Sequence, residues 1–259
     1  MHVYIYDSYV SQKKFENQVA KIETRITDLG LNGKIVRLGI MNSVYNIVEN
    51  ELKKTVKTIT AVGSNNILNQ IVNAIAKLSS LNELSHDIPL GFIPVGKKDN
   101  SIAEFLGIKP EEEACDTLSS RRIEQLDLGR VNNHYFLTEA TIPTNGTTIE
   151  IDENYSIEIM EKGDIYVVNI PVEASFPHGV KHDAKDGELE LFINSGNGLN
   201  FFPGAQKNQS KSVFSFNKLN IINKNKPIIL DGSIKIDAPA EISIAKEKIN
   251  MIVGKDRKI

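Results

Sequence analysis

Two patterns of hydrophobic and polar residues divide the chain. Up to about residue 108, short apolar runs alternate with stretches whose apolar residues recur every three or four positions. The apolar runs predict four strands, at Val3–Tyr6, Lys34–Leu38, Val56–Val62 and Pro89–Val95. The periodic stretches between them predict helices, since that spacing places the apolar side chains on one helix face. On the first helix this face carries Phe15, Val19, Ile22, Ile26 and Leu29. Alternating strands and helices are typical of a parallel sheet covered by helices.

From about residue 122 the apolar segments become shorter and often alternate with polar residues, and turn signals such as Lys162-Gly163 and Asp186-Gly187 separate them. This pattern is typical of an antiparallel β-sandwich. The polar stretch Pro110–Ser120 between the two regions predicts a linker helix. We therefore predict an α/β plus all-β protein, with a Rossmann-like parallel α/β domain at residues 1–115 and a β-sandwich domain at residues 122–259.

Composition and charge narrow the class of protein. Of the 259 residues, 41% are hydrophobic and 24% are charged, which is ordinary for a globular chain and excludes wholesale disorder. The net charge of −3 gives no basic footprint, so we expect no nucleic-acid partner. The single cysteine, Cys115, excludes an internal disulfide framework and fits a reducing cytoplasm. No apolar run approaches the roughly 18–20 residues that a membrane-spanning helix needs.

Two strand–turn–helix segments carry the candidate chemistry. Ala61–Ala76 leads from a strand through Gly63-Ser64-Asn65-Asn66 into a helix, and Gly91–Ile108 repeats this order through a second polar glycine turn. Backbone N–H groups and the positive end of a helix suit such a turn to a phosphate. Two of these turns, at the carboxyl ends of neighbouring parallel strands, would frame one crevice, where open sheets bind ligands. For each segment taken alone, the alternative is a plain corner of the fold.

The ordered set of motifs resembles the diacylglycerol kinase catalytic family, bacterial lipid kinases related to NAD kinases. GSNNILNQIVNA at Gly63–Ala74 is similar to the family's GGDGTLNEVVNG, and PVGKKDNSIAEFLG at Pro94–Gly107 is similar to PLGTGNDFAxxLG. DLGRVNNHYF at Asp127–Phe136 resembles DLGRVNGxYF, and PIILDGS at Pro227–Ser233 resembles P-x-x-x-DGE. The resemblance implies a nucleotide-binding α/β domain and a β-sandwich to which the lipid site is attributed. It also implies that the last strands, from Glu241, pack back toward the first domain.

The resemblance further implies ATP and Mg²⁺ as cofactors and phosphoryl transfer to a lipid hydroxyl. The implied nucleotide-binding residues lie in the two turns and the helix after the first: Gly63, Ser64, Asn65, Asn66, Asn69, Gly96, Lys97, Lys98 and Asp99. The implied catalytic positions are Asn65, Asp231 and Ser233, of which Asp231 is the one acid and the implied metal ligand. We expect Asn65, Asp99 and Asp231 to converge.

The departures from the family pattern concern the acids. Asn65 stands where the first motif has Asp, and Ser233 stands where the last motif has Glu. An Asn carbonyl can coordinate a metal, but it carries no charge and accepts no proton at neutral pH. Loss of a general base costs roughly 10²–10⁴ in rate, so we expect a weakened or lost lipid kinase reaction. The alternative is a non-catalytic pseudokinase that acts as a nucleotide- or lipid-responsive binding or assembly protein. By position, Asp7 and Asp99 are the acids that could substitute.

Partners follow from the resemblance and from one loop. The expected partner is a membrane lipid, with the protein cytoplasmic or peripheral at the inner membrane face, and a homodimer stays open. Phe201-Phe202-Pro203, with Lys207 and Lys211, suits a membrane interface, and a loop that plugs the core is the alternative. His178 and His182 would bind a metal only if they lay on a helix, and Pro177 and Gly179 favour a loop there.

Overall fold

The computed structural model describes residues 1–39, 43–81, 88–96, 100–159, 162–172, 183–195, 213–223 and 226–259. Within these ranges the chain forms two compact units. The first unit comprises Met1–Leu126 and Glu247–Ile259, and the second comprises Asp127–Lys246. Several predictions concern residues outside the described ranges, namely Lys97, Lys98, Asp99, His178, His182 and residues 201–211.

The first unit is built on one sheet of six described strands. With numbering that follows the chain, they are β1 (His2–Tyr6), β2 (Gly33–Arg37), β3 (Thr58–Gly63), β4 (Leu90–Pro94), β5 (Ile123–Leu126) and β18 (Ile249–Ile252). Their order is β2-β1-β3-β4-β18-β5, and every pairing is parallel except that of β18 with β5. Every residue of β3 and β4 is buried, as expected for central parallel strands covered on both faces.

Helices connect these strands. They are α1 (Glu16–Asp28), α2 (Val44–Leu52), α3 (Asn65–Ser80), α4 (Ser101–Phe105) and α5 (Glu113–Ser120), and two short 3-10 turns, Ser8–Ser11 and Lys13–Phe15, precede α1. The amphipathic pattern of α1 buries Ile22 and Ile26. The stretch predicted as a linker helix contains α5, which packs against β4 and α1 as part of the first unit. Among the described helices, none is long and apolar enough to cross a membrane.

The second unit contains two antiparallel sheets. The strands are β6 (Gly129–Val131), β7 (His134–Phe136), β8 (Glu139–Pro143), β9 (Thr147–Ile151), β10 (Tyr155–Ile159), β11 (Gly163–Val168), β12 (Glu190–Ser195), β13 (Val213–Ser215), β14 (Lys218–Asn223), β15 (Ile228–Leu230), β16 (Ile234–Ile236) and β17 (Ala240–Ile244). The sheet orders are β10-β9-β14-β17-β6-β7 and β13-β12-β11-β8-β15-β16. Apolar residues of both sheets, including Ile149, Ile165 and Ile242, share one buried core. Parallel α/β and antiparallel regions therefore coexist, which confirms the predicted fold class.

The division between the units differs from the predicted ranges 1–115 and 122–259. β5 belongs to the first unit because it pairs with β18 at the edge of the parallel sheet. An edge strand has one exposed side, so its alternating pattern resembles that of a sandwich strand. Of the segment after Glu241, residues from Glu247 onward join the first unit, whereas β17 pairs with β6 and β14 in the second.

Candidate functional site

The two glycine turns of the first unit lie side by side. β3 and β4 are parallel neighbours, with Gly63 opposite Pro94, and the Val95 N–H donates to the Gly63 carbonyl at 3.0 Å. Both turns therefore stand at the same carboxyl edge of the sheet. The Asn65 side-chain amide donates to the Ser101 hydroxyl at 3.4 Å, which joins the first residues of α3 and α4. One corner of the sheet thus brings together Gly63, Ser64, Asn65 and Gly96. We call this group the Gly63 corner.

A glycine is needed at position 63 because Asp7, just after β1, passes too close for a side chain there. The φ of Gly63 is +147°, and a Cβ atom placed there would lie 2.6 Å from the Asp7 Cβ and 3.3 Å from the Ile67 Cγ2. A side chain at this position would displace the end of β1 from the beginning of α3. The glycine of the first motif therefore lets a third segment, the end of β1, reach the corner.

Asp7 is the acid that this third segment brings to the corner. Its backbone N–H donates to the Val62 carbonyl at 2.9 Å, and its Oδ2 accepts a hydrogen bond from the Ser64 hydroxyl at 2.9 Å. The side chain is half-buried. Of the two acids that the sequence offered as substitutes by position, Asp7 adjoins the corner and Asp99 lies outside the described residues.

The amino end of α3 has no side-chain cap. Ser64 is the extended N-cap residue, but its side chain makes no capping hydrogen bond, and its hydroxyl donates to Asp7. The first-turn N–H groups of a helix have no partner within the helix, and the helix dipole gives this end a partial positive charge. The corner therefore presents N–H donors as well as a carboxylate.

Two amide oxygens on the same helix also lack partners. Asn65 Oδ1 and Asn69 Oδ1 are buried and accept no hydrogen bond from the described residues. Asn69 is only 2% exposed, whereas Asn66 is exposed to solvent. Buried polar groups are nearly always paired with protein, water or ligand, so these two acceptors indicate a donor or a cation that protein atoms do not supply.

The turn after β4 is covered by residues that immediately follow β1. The Tyr9 hydroxyl donates to the Val95 carbonyl at 2.7 Å, and the rings of Tyr9 and Phe15 meet edge to face at 5.2 Å. Gly96 has a φ of +84°, and a Cβ atom there would lie 3.1 Å from the Phe15 ring. Burial, and to a lesser extent the charge of Asp7, raises the pKa of Tyr9 to about 12, so this hydroxyl stays a donor at neutral pH.

Sequence reasoning missed Tyr9 and Phe15, and it expected Phe15 on the face of the first helix. In the structure α1 begins at Glu16, and Phe15 packs beside Gly96 instead. The signal available in the sequence was the position of these aromatic residues just after an apolar strand. That signal becomes useful only once β1 is known to neighbour β3.

The second unit holds the retained acid, Asp231, in the turn between β15 and β16. Its Oδ1 accepts hydrogen bonds from the Thr138 N–H at 2.8 Å, the Thr138 hydroxyl at 2.6 Å and the Glu139 N–H at 3.3 Å. Its Oδ2 accepts from the Leu137 N–H at 3.0 Å. Burial raises the pKa of Asp231, and these four hydrogen bonds oppose that rise. The carboxylate therefore fastens the turn to residues 137–139.

Asp231 fits a structural role better than a metal site. Four donors already surround its two oxygens, and Asp231 itself has a left-handed φ of +48° that places it in the turn. Ser233 is exposed, and its N–H donates to the Leu230 carbonyl at 3.0 Å within the same turn. No group of three or more His, Cys, Asp or Glu side chains in the described ranges is arranged to hold a metal ion. The expected convergence of Asn65, Asp99 and Asp231 stays a prediction.

Comparison with known proteins gives the family. The model of the diacylglycerol kinase catalytic domain matches residues 2–131, which is half of the chain and includes both glycine turns. The chain belongs to the diacylglycerol kinase catalytic domain family. The resemblance predicted from the motifs is thereby confirmed. The diacylglycerol kinase of Bacillus subtilis (strain 168) is 25% identical over 203 residues, which cover 73% of this chain and 62% of that kinase. The match thus leaves more than a third of that relative's length uncovered.

Solved structures of other proteins agree with the fold. A diacylglycerol kinase from Bacillus anthracis str. Sterne is similar with a TM-score of 0.76 and 17% identity, covering 98% of this chain and 97% of that one. An NAD kinase from Archaeoglobus fulgidus, solved in complex with ATP, is similar with a TM-score of 0.61 and 12% identity, covering 99% and 95%. At these identities the likeness shows the fold alone.

Proposed function

We propose that this protein is a diacylglycerol kinase-family member that binds a nucleotide at the Gly63 corner and has weakened or lost phosphorylation of a lipid hydroxyl. The observation that carries the proposal is the use of Asp231, the one retained acid, by four internal hydrogen bonds. A carboxylate engaged in this way has little capacity left to hold a metal or take a proton.

The corner of the first unit supports nucleotide binding. The uncapped first turn of α3 offers backbone N–H groups to a phosphate, and Asp7 and Asn65 offer oxygens to a cation. When bound, ATP supplies the transferable phosphoryl group and Mg²⁺ neutralises its charge. An NAD kinase of similar fold, solved in complex with ATP, adds support for nucleotide binding by this fold.

The expected loss of phosphoryl transfer follows from the missing base that would activate the lipid hydroxyl. A lipid hydroxyl needs a base to take its proton, and neither Asn65 nor Ser233 can do so at neutral pH. The expected deficit is roughly 10²–10⁴ in rate for the missing base. The protein then serves as a nucleotide- or lipid-responsive binding or assembly protein rather than as an efficient kinase.

The same proposal includes the partner and the location. The acceptor class is a membrane lipid, with the protein cytoplasmic or peripheral at the inner membrane face, and a homodimer is the assembly to test. The support is the family relationship, since residues 201–211 lie outside the described ranges.

A transfer assay tests this function. The protein is incubated with radiolabelled ATP, Mg²⁺ and vesicles that contain diacylglycerol, with the Bacillus subtilis diacylglycerol kinase as the positive control. We expect lipid phosphorylation at least roughly 100-fold slower than the control, together with calorimetrically measurable nucleotide binding. Transfer at the rate of the control enzyme would contradict the loss of catalysis, and absence of nucleotide binding would contradict the binding role.

A slow kinase is the second candidate, and the position of Asp7 at the corner favours it. Restoring the family acids by the double substitution Asn65→Asp and Ser233→Glu separates the two candidates. A rise in transfer from a measurable wild-type rate supports a slow kinase. A double variant that binds nucleotide and still transfers nothing supports the non-catalytic role.

A further inference from the structure

The Gly63 corner combines a group that attracts anions with a group that repels them. The first turn of α3 presents N–H donors and a partial positive charge, which favour an anion. Asp7 adds a negative charge at the hydroxyl of the same N-cap residue, 2.9 Å away, which disfavours an anion. The carboxylate therefore favours an anion whose charge is partly neutralised by a bound cation over a free anion.

The buried amide oxygens point to the same kind of ligand. Asn65 and Asn69 are four residues apart on α3 and therefore lie on one helix face. Helical side chains lean toward the amino end, so the amide of Asn69 extends over the turn that begins at Asn65. Asn69 is 2% exposed and its Oδ1 accepts no hydrogen bond from the described residues, nor does the buried Oδ1 of Asn65. The ionised phosphate oxygens of a nucleotide are acceptors and cannot pair with these amide oxygens. A cation can coordinate the amide oxygens, or its bound water can donate to them.

We infer that Asp7 makes this corner selective for a metal-bound nucleotide phosphate, replacing the charge that Asn65 lacks. The inference rests on the proposed nucleotide binding and assigns the residue that controls it. The oxygens of Asp7 and Asn65 face the cation, directly or through water, and the first-turn N–H groups of α3 face the phosphate. Without a divalent cation, the carboxylate of Asp7 repels the phosphate from the helix end.

A purely structural role for Asp7 makes a different prediction. In that case the carboxylate only fastens the end of β1 to Ser64. An Asn at position 7 still offers an oxygen to the Ser64 hydroxyl, so the fold and any ligand preference would survive the change. Asp7→Asn therefore separates charge from hydrogen bonding.

The test is calorimetric titration with ADP, once with excess Mg²⁺ and once with EDTA, so that binding is measured without turnover. We expect wild-type protein to bind ADP at least tenfold more tightly with Mg²⁺ than without it. In Asp7→Asn we expect this ratio to fall roughly tenfold, with weaker binding in Mg²⁺ and tighter binding in EDTA. The matched control is Asp237→Asn, which removes the same charge from an exposed residue of the second unit and should keep the wild-type ratio.

The outcomes distinguish the two levels of the proposal. If wild-type protein binds ADP and Asp7→Asn keeps the same Mg²⁺ ratio, the role of Asp7 is wrong and nucleotide binding stands. If wild-type protein binds ADP in neither condition, the nucleotide function itself fails, and the inference fails with it. Should Asp7→Asn not fold, Asp7→Ser is titrated in its place, because a serine hydroxyl also accepts from Ser64 and carries no charge. A wild-type Mg²⁺ ratio in that variant overturns the inference.

Discussion

The Gly63 corner of the first unit and the Asp231 turn of the second unit differ in how many of their polar groups have hydrogen-bond partners within the protein. Around Gly63, the helix end is uncapped and the oxygens of Asn65 and Asn69 have no partner among the described residues. In the turn of the second unit, Asp231 has four donors within 3.3 Å. Matching motifs would rank Asp231 as the functional acid, but internal donors already contact both of its carboxylate oxygens. A retained acid is therefore not evidence of a retained reaction.

The contrast follows from the two architectures. A parallel sheet directs strand ends and helix amino ends to one edge, where unpaired N–H groups need an external partner. An antiparallel turn can satisfy its own groups, because a residue such as Asp231 with positive φ can direct its carboxylate onto the segment that leads into the neighbouring strand β8. Substitutions in each unit therefore test whether the two sites differ in this way.

Asp231→Ala should have the greatest effect, a destabilisation of the second unit. It leaves the N–H groups of Leu137, Thr138 and Glu139 without their acceptor in a buried segment. We expect the free energy of unfolding to fall by roughly 4 kcal/mol in urea denaturation followed by circular dichroism. The control, Asp237→Ala, changes an exposed residue and should stay within about 0.5 kcal/mol. An Asp231→Ala protein of normal stability that has lost Mg²⁺-dependent ADP binding would reverse the contrast.

Gly63→Ala should disrupt the corner itself. The added Cβ combines an unfavourable φ with a 2.6 Å approach to the Asp7 Cβ, so we expect a loss of about 3 kcal/mol in the free energy of unfolding. Gly30→Ala is the matched control, because Gly30 also has positive φ but no neighbour within 4 Å of the added atom. That control should lose about 1 kcal/mol. Equal losses in the two variants would show that Asp7 does not crowd Gly63.

Glu51→Gln tests whether a buried acid of the first unit stabilises the fold through its internal hydrogen bonds, as proposed for Asp231. Burial by itself raises the pKa of Glu51, but the hydrogen bonds from Lys34 at 2.6 Å and Lys54 at 2.9 Å hold the pKa below its ordinary value of 4.5. A lowered folded-state pKa stabilises the protein above the unfolded-state value, and this stability is lost as the pH falls through the folded-state value.

We therefore expect Glu51→Gln to lower the free energy of unfolding by roughly 1–2 kcal/mol at pH 7, and the difference from wild type to vanish at acidic pH. Urea denaturation at several pH values measures both effects. Glu49→Gln, which breaks the more exposed pair with Lys53, should cost no more than about 0.5 kcal/mol. A Glu51→Gln deficit that is the same at pH 7 and pH 3 would assign the loss to packing instead of charge.

We expect the thiol of Cys115 to be protected from alkylation, because it lies in the interior of the first unit, away from the Gly63 corner. The residue is fully buried, and burial, with a smaller effect of Asp116, raises the pKa of its thiol to about 12. At pH 8 we expect iodoacetamide to label native protein at least roughly 100-fold more slowly than protein denatured in guanidinium chloride. Mass spectrometry measures both rates. Similar rates in the two states would mean that this side of the sheet opens readily.

Local pattern predicted most of the elements but not all of their partners. The apolar run Val56–Val62 became β3, and the run Pro89–Val95 contains β4, since central parallel strands are apolar throughout. β5 was predicted within the sandwich range because an edge strand and a sandwich strand share the same alternation, but it pairs with β18 in the first sheet. Phe15 was assigned to a helix face because spacing alone does not show where a helix begins.

Residue types and short-range periodicity were enough to predict the two kinds of architecture. The resemblance of the ordered motifs then indicated the family and the loss of two of its acids, at Asn65 and Ser233. Neither showed which remaining acid is engaged by internal hydrogen bonds and which adjoins the corner, and the folded chain alone answers that question. The reason is distance along the chain: Asp7 meets Ser64 across 57 positions, and Asp231 meets Leu137 across 94. Contacts of that range are set by the order of strands in the sheets, which no local pattern of side chains contains.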